Sequence, residues 1–328
     1  MRGRRKTAVC GLALLSFFML CGCGAQRQTS EWFAMDTVIT AAASCGKDAL
    51  NAAEAETYRI DALLAAQKES SEIAAVNNGA RTVSEETAAL VRRALEIARE
   101  TDGAYDPTVY PLMQAWGFPD GNYRVPERAE LERLLGRTGW ENVRVDGTAV
   151  TLPEGYALDL GGIGKGYAAG RCKELLRERG VTSALLNLGG NVSALGAKPD
   201  GTAWTVAIQN PEGDGYLATV EITDQCVVTS GGYQRYFEQD GETYWHILDP
   251  ETGEPARSGM QSVTIVSDDD TLADALSTAL FVMGPERAAD FWRAHRMEFD
   301  AVWLTEDGTL AVTEGLNLRT ERAYEVIR

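Results

Sequence analysis

The sequence predicts an α+β fold with largely antiparallel sheets flanked by helices. Three observations lead there. Short apolar runs follow one another directly, separated by turn residues and not by helices. Helical periodicity is confined to a few long stretches set between those groups, unlike the regular strand–helix alternation of a parallel sheet. No internal repeat or low-complexity tract divides the chain, and about 300 residues beyond the N-terminal segment suffice for one large domain or two intimately packed ones.

The elements follow in order. "WFAMDTVITAAAS" (32–44) reads as a first strand. "GKDALNAAEAETYRIDALLAAQ" (46–67) is a helix with Leu50, Ala53, Tyr58, Ile60, Leu63 and Leu64 on a broad apolar face. Ser71 precedes a short helical turn that Asn77, Asn78 and Gly79 stop. A second long helix starts at the N-cap Ser84, carries Glu85 and Glu86 at the positive end of its dipole, and ends at Gly103. Short strands with a turn at Asp146–Gly147 lead to a strand ending on Asp159, and a helix runs from about Gly164 to Arg179. Then come the strand "SALLNLGG" (183–190) and a meander of "TAWTVAIQNP", "YLATVEIT" and "QCVVTSG". "TYWHILDPETGEPA" (243–256) is a strand running into a turn, and "QSVTIVS" (261–267) is a further strand. Two helices, "TLADALSTALFVMG" and "PERAADFWRAH", close the core.

The first residues are addressing signal, not fold. "MRGRRK" is a basic head, and the apolar stretch after it is too short to span a bilayer comfortably. It ends in "LCGC", a lipoprotein cleavage box, so residues 1–22 are a signal peptide, Cys23 the lipidated first residue, 23–30 a polar tether and 31–328 the folded domain. An ordinary secretory peptide that happens to contain cysteine is the alternative. Several acyl chains at Cys23 anchor stably, because each buried methylene contributes about 0.8 kcal/mol, and place the domain on the extracytoplasmic face of the membrane. Residues 1–22 hold four basic groups and no acid, so removing them from 31 basic against 48 acidic residues leaves a net charge near −21. Nucleic acid is thereby excluded as a partner, and a polyanionic ligand needs local cations, helix N-termini or a metal. Of six cysteines, Cys45, Cys172 and Cys226 remain after Cys23; three cannot all pair, there is no C-x-x-C, and they are expected to be buried thiols.

"DLGGIGKGYAAGR" (159–171) carries Gly162, Gly164 and Gly166 at the mouth of a helix. A P-loop would have Ser or Thr after the lysine, where Gly166 stands; a dinucleotide turn would have a carboxylate at the end of the next strand, and "SALLNLGG" lacks one. Helix-start amides carry about half a positive charge, glycines let a pyrophosphate approach, and Lys165 adds a full charge beside Asp159. A tight strand-to-helix turn with a solvated lysine is the plain alternative. In "ADALST" (273–278), Asp274 and Thr278 are four apart and share a helix face; carboxylate and hydroxyl oxygens suit a hard cation such as Mg2+, and Ser277 is one position round. The Gly162 carbonyl, screened by no side chain, is the natural third ligand, although a side-chain hydrogen bond accounts for an Asp-x-x-x-Thr pair as well. His246 is one of two histidines and leads into an Asp-Pro-x-x-Gly turn, where it either orients a phosphate or packs; His295 sits in a surface-like helix. In "TSGGYQRYF" (229–237), Arg235 suits a phosphate and Tyr233 and Tyr236 offer flat faces, unless the stretch is an amphipathic edge strand.

In this order, "MDT", "GAYDPTVYPLMQAWGF", "DLGGIGKGYAAGR", "LLNLGGN", "TSGGYQRYF", "HILDPETGEP" and "DALSTAL" resemble the FAD:protein FMN transferases, the ApbE family of flavin-transferring lipoproteins, over residues 32–318. The resemblance implies cleavage of the FAD pyrophosphate, transfer of FMN to a Thr or Ser hydroxyl of an acceptor protein, and release of AMP. It implies Mg2+, with Mn2+ a possible substitute, held by the Gly162 carbonyl, Asp274 and Thr278, with Ser277 as a further candidate, and Asp274 placed to help deprotonate the acceptor hydroxyl; His246, read from its own stretch, is the second catalytic candidate. FAD would be contacted by Met35, Gln67, Ala104, Tyr105, Asp106, Asp159, Lys165 and Leu248. Asp159 or Asp106 would accept hydrogen bonds from the ribose or adenine. The acceptor would be a membrane redox-chain subunit. Gln67 stands where the family carries an aromatic residue or Asn that influences the balance of binding, hydrolysis and transfer, and Gly162 and Gly164 replace bulkier small residues. The alternatives are a Mg2+-dependent FAD pyrophosphatase, a flavin-binding lipoprotein without chemistry, and a solute-binding lipoprotein of unrelated fold.

Overall fold

The computed structural model describes residues 27–328, so the expected signal peptide (1–22) and Cys23 lie outside the described residues. Strand β1 (Arg27–Ala34) and strand β2 (Thr37–Ser44) form an antiparallel hairpin where one strand was expected. Met35 and Asp36 both adopt left-handed backbone, φ 53° and 56°, the two-residue turn whose twist matches that of the strands. Lacking the usual Asn-Gly signature, it reads as continuous strand in the sequence. The hairpin also takes in Arg27–Ser30, four residues expected in the tether. Helix α1 (Lys47–Leu64) buries Leu50, Ala53, Thr57, Ile60 and Leu64 at three- and four-residue steps, while Tyr58 faces solvent. Thr57 is tolerated inside because its hydroxyl accepts from Trp32 Nε1 at 2.8 Å and donates to the Glu54 carbonyl at 2.7 Å.

Helices α2 (Glu72–Asn77) and α3 (Glu85–Glu100) begin where expected, with Ser71 and Ser84 hydroxyls accepting from the backbone of Ala74 and Thr87. Helices α4 (Tyr110–Trp116) and α5 (Arg128–Leu135) are too short for periodicity to announce; Pro111 in the first turn and left-handed Gly117 after the last bracket α4. Strands β3 (Arg144–Asp146) and β4 (Ala149–Thr151) form the hairpin at Asp146–Gly147. Residues 152–160 are irregular and not a strand. Their backbone pairs with a side chain: Leu158 N–H donates to Asn77 Oδ1 at 2.7 Å, and its carbonyl accepts from Asn77 Nδ2 at 2.9 Å. Helix α6 (Gly161–Glu178) starts three residues before the expected position, so the glycine run is its first turns and not a loop ahead of it.

Strands β5 (Ala184–Leu188) and β6 (Asn191–Leu195) form a hairpin through left-handed Gly189 and Gly190. Next come β7 (Trp204–Gln209), β8 (Tyr216–Ile222), β9 (Cys226–Gly231), β10 (Tyr236–Gln239), β11 (Glu242–Trp245) and β12 (Met260–Ser267). Helix α7 (Asp270–His295) breaks at Gly284, φ 78°, into the two helices read from sequence. Strands β13 (Phe299–Thr305), β14 (Leu310–Thr313), β15 (Leu318–Arg319) and β16 (Glu325–Ile327) follow.

The main sheet runs β1-β2-β5-β6-β9-β12-β13-β14-β16, and only its β14–β16 pair is parallel. The expected meander splits, because β7 and β8 join β15 in a separate three-stranded sheet. Alternation explains the split: Val228, Ile265 and Ala301 face the helical core, while their neighbours Val227, Val266 and Val302 pack against Trp204, Val206, Ile208 and Val220 of the small sheet. Strands β9, β12 and β13 are therefore covered on both faces, with α1, α6 and α7 in the helical core. A third cluster of Leu112, Trp116, Phe118, Leu131, Leu134 and Leu248 lies under α4 and α5. Among the described residues no helix is long and apolar enough to cross a membrane, and Cys172 and Cys226 are buried free thiols while Cys45 is only half-buried.

Candidate active site

Helices α6 and α7 cross with almost no separation at one residue. A Cβ on Gly166 would lie 2.1 Å from the Asp270 carbonyl oxygen and 2.7 Å from Asp274 Cβ, so only glycine fits. This third glycine thus serves helix packing and not ligand approach. The crossing lets the Gly166 N–H donate to Asp274 Oδ2 at 2.8 Å. In a regular helix that amide belongs to the Gly162 carbonyl, which here shares or loses its donor and is left an acceptor with spare capacity. A Cβ on Gly162 would stand 3.9 Å from Thr278 Oγ1 and 3.1 Å from the Tyr105 ring. Gly162, Tyr105 and the Asp274–Thr278 pair, far apart in sequence, thus share one locus.

Both oxygens of Asp274 are held, Oδ2 by Gly166 and Oδ1 by Asn191 Nδ2 at 2.9 Å, and its side chain is buried. The Tyr105 hydroxyl is buried beside these groups without a hydrogen-bond partner. Burial, with Asp159, Asp274 and Asp106 nearby, keeps that phenol protonated well above its ordinary range. An orphaned hydroxyl beside a carboxylate, a hydroxyl and a spare carbonyl fits a hard cation and an anionic ligand. Among the described residues no three His, Cys, Asp or Glu side chains gather to hold a metal. A site of one carboxylate with neutral oxygens suits Mg2+, which keeps much of its water. Ser277 is turned elsewhere: its hydroxyl donates to the Asp274 carbonyl at 2.8 Å and lies 2.7 Å from Ser230 Oγ on β9, so it belongs to the helix–sheet packing.

Asp159 receives the Gly161 N–H at 2.7 Å, and its own N–H donates to the Pro107 carbonyl at 2.7 Å. Burial pushes its carboxyl up, against the Gly161 amide, Arg235 and Lys165, which favour the charged form. Lys165 has no ion-pair partner among the described residues. His246 lies just past β11, and its Nδ1 stands 3.2 Å from the Arg235 carbonyl. Burial first, then the charges of Arg235 and Lys165, lowers its pKa to about 3. The ring is therefore neutral near pH 7. A carbonyl oxygen only accepts, so Nδ1 carries the proton and Nε2 presents a lone pair. Arg235 itself is anchored by a hydrogen bond to the Phe118 carbonyl.

The other candidates divide. Met35 forms the hairpin turn over the mouth of α6, where a Cβ on Gly164 would be 3.6 Å from its methyl, and exposed Gln67 donates to Asp36 in the same turn at 3.3 Å. Ala104 is buried next to Tyr105. Asp106 is committed internally: Oδ1 accepts from the Thr108 amide (2.8 Å) and hydroxyl (2.6 Å), and Oδ2 from the Trp140 amide (3.2 Å). It shapes the loop that carries Tyr105, where a ligand contact was expected. The Leu248 side chain lies in the cluster under α4. Asn191 was missed as an individual residue, although the quoted "NLGGN" contains it. A groove of about 510 Å³ lined by Tyr167, Lys173, Arg177, Asp224 and Asp270 holds none of the candidate residues.

A model of the ApbE family matches residues 35–303. The FAD:protein FMN transferase of Klebsiella pneumoniae is 34% identical over 281 residues, 82% of this chain and 87% of that protein. The one from Treponema pallidum is 35% identical over 279 residues, 77% and 76%. Among solved structures, the ApbE protein of Thermotoga maritima superposes with a TM-score of 0.84 at 35% identity, covering 88% of this chain and 97% of that one. The apo flavinyl transferase ApbE of Pseudomonas stutzeri gives 0.77 at 28%, covering 90% and 94%. With the match running from the hairpin turn to β13 and taking in every element that meets at Asp274, this chain belongs to the ApbE family.

Proposed function

We propose that this protein transfers FMN from FAD to a Thr or Ser hydroxyl of an acceptor protein and releases AMP. The observation that carries the reading is the meeting of Gly162, Asp274 and Thr278 at the α6–α7 crossing, with a neutral histidine near Arg235 and near Lys165 of the opening turns of α6. Phosphoryl chemistry of this type is mostly positioning and charge neutralisation. The pyrophosphate would lie over the start of α6, where backbone amides, Lys165 and Arg235 supply positive charge in an otherwise acidic protein. Asp274, Thr278 and the Gly162 carbonyl would hold Mg2+ or Mn2+, with water completing the shell. A cation held by these residues would supply charge neutralisation for the pyrophosphate and the departing AMP.

The acceptor oxygen attacks the phosphorus on the FMN side, the bond from that phosphorus to the bridging oxygen breaks, and AMP leaves with that oxygen. The hydroxyl proton needs a base. Asp274, bonded at both oxygens and facing a cation, is a poor one. His246 offers the Nε2 lone pair, and an anion lying between Lys165 and Arg235 offsets the charges that depress its basicity. Asp274 therefore holds the metal and His246 takes the proton. Lipidation at Cys23 would keep the enzyme on the extracytoplasmic face of the membrane, within reach of a membrane redox subunit as acceptor.

The full chain in detergent, mixed with FAD, Mg2+ and an acceptor domain bearing a target Thr, is expected to add the mass of FMN to the acceptor, and EDTA is expected to stop it. Asp274→Ala should abolish the gain while the circular dichroism spectrum stays unchanged. AMP release without any mass gain on the acceptor would support FAD hydrolysis instead.

A further inference from the structure

Asn191 has no part in the chemistry above, yet among the described residues it makes the one side-chain hydrogen bond to the carboxylate on which the metal site turns. It opens β6 directly after the Gly189–Gly190 turn, is 3% exposed, and points its amide Nδ2 at Asp274 Oδ1 across 2.9 Å. The opposite oxygen receives the Gly166 amide at 2.8 Å. Two donors from different elements, one from the sheet and one from α6, therefore hold the plane of a buried carboxylate that sits on α7. A carboxylate with two oxygens has about four acceptor positions. Two are filled here, and Thr278, one turn further along the same helix, stands 3.9 Å from where a Cβ on Gly162 would lie.

We infer that Asn191 is a positioning residue for the metal ligand Asp274: it fixes the carboxylate's rotation so that its remaining lone pairs meet a cation at the α6–α7 crossing. The inference rests on the proposed metal site and adds to it a residue that touches neither metal nor FAD. The amide supplies the buried carboxylate with a hydrogen bond that burial keeps bulk water from giving. The tight glycine turn explains why Asn191 can do this: with Leu188 and Asn191 paired across a two-residue loop, the first residue of β6 has no slack in its position. Without the amide, Asp274 Oδ1 would be buried without a donor and free to rotate away from the site.

The test compares full-length wild type, Asn191→Leu and Asp274→Ala in detergent. Mn2+ binding is read from loss of the free-ion EPR signal, and the metal requirement separately from the Mg2+ concentration giving half-maximal transfer. Leu matches Asn in size and cannot donate. The expected result is a 10- to 100-fold rise in the metal concentration needed by both readouts, with transfer recovering as metal is raised and the KM for FAD at saturating metal unmoved. A merely structural role would lower the melting temperature and leave the metal requirement alone; that outcome overturns the inference. If Asn191→Leu does not fold, Asn191→Ser, too short to span the gap, is expected to show the same metal defect, and wild-type metal affinity in it counts against the idea. Asp274→Ala separates the two levels of the argument. Should it bind metal normally, the metal site itself is misplaced; should it lose metal while the folded Asn191 variants keep it, only the positioning role fails.

Discussion

His246 shows how far one side chain's environment decides its chemistry. Half-buried and facing two cations, it resists protonation down to about pH 3. The unfolded chain takes up that proton near pH 6.5. Between those values the unfolded state binds more protons than the native one, so this histidine's contribution makes stability fall as pH drops from about 6.5 towards 3. His246→Gln removes the effect. Its melting temperature is expected to fall less steeply over that range than that of the wild type, with the two curves converging or parallel above pH 7. Curves parallel throughout would mean that the ring is not held neutral. The same variant should lower the transfer rate by roughly 10²- to 10⁴-fold, the usual contribution of a general base.

At the scale of elements, the α6–α7 crossing organises the site, and two glycines two residues apart play opposite parts in it. A methyl on Gly164 would meet the Met35 methyl at an ordinary 3.6 Å, whereas one on Gly166 would meet a backbone oxygen at 2.1 Å. Gly164→Ala is expected to be neutral or to stabilise by up to ~1 kcal/mol through helix propensity. Gly166→Ala must part the helices and should cost ~1–3 kcal/mol or more, while weakening metal binding. Urea unfolding of the two variants decides the matter, and equal effects would contradict the packing described. The buried Lys173–Asp270 ion pair, 2.7 Å long, spans the same two helices further along. It fixes their relative rotation, since neither charge can leave its partner without a large desolvation cost.

For the whole molecule, the hairpin β1–β2 changes how membrane attachment is pictured. Because β1 starts at Arg27, only residues 24–26 separate Cys23 from the fold, a span of at most roughly 14 Å over the four steps from Cys23 to Arg27. A lipid at Cys23 would hold the domain close against the bilayer, even though a net charge near −21 is repelled by anionic headgroups. Cys23→Ser in the full-length chain is therefore expected to prevent labelling by fatty acid and to release the protein from lipid attachment. Membrane fractionation with a palmitate-analogue label checks this, and unchanged labelling would place the lipid elsewhere or nowhere.

Periodicity and capping residues determined much of the secondary structure. The three- and four-residue spacing in α1, Ser71 and Ser84 as N-caps, and Gly284–Pro285 as the break in α7 are local signals with local causes. The order of motifs was enough to indicate the family and to single out Asp274, Thr278 and Gly162. Tertiary structure alone decided what each of them does. Asp106 and Asp159 both precede turns in the sequence, yet one is consumed by Thr108 and Trp140 while the other faces Lys165 and Arg235. Ser277 and Thr278 are adjacent hydroxyls, and the 100° step of the helix sends one to Ser230 and the other towards Gly162. The partner of Asp274 could not be read along the chain, because Asn191 is 83 residues away and arrives from a different strand. Local spacing specifies which atoms a residue carries and which face it occupies; what stands opposite that face is set by how the helices and the sheet pack.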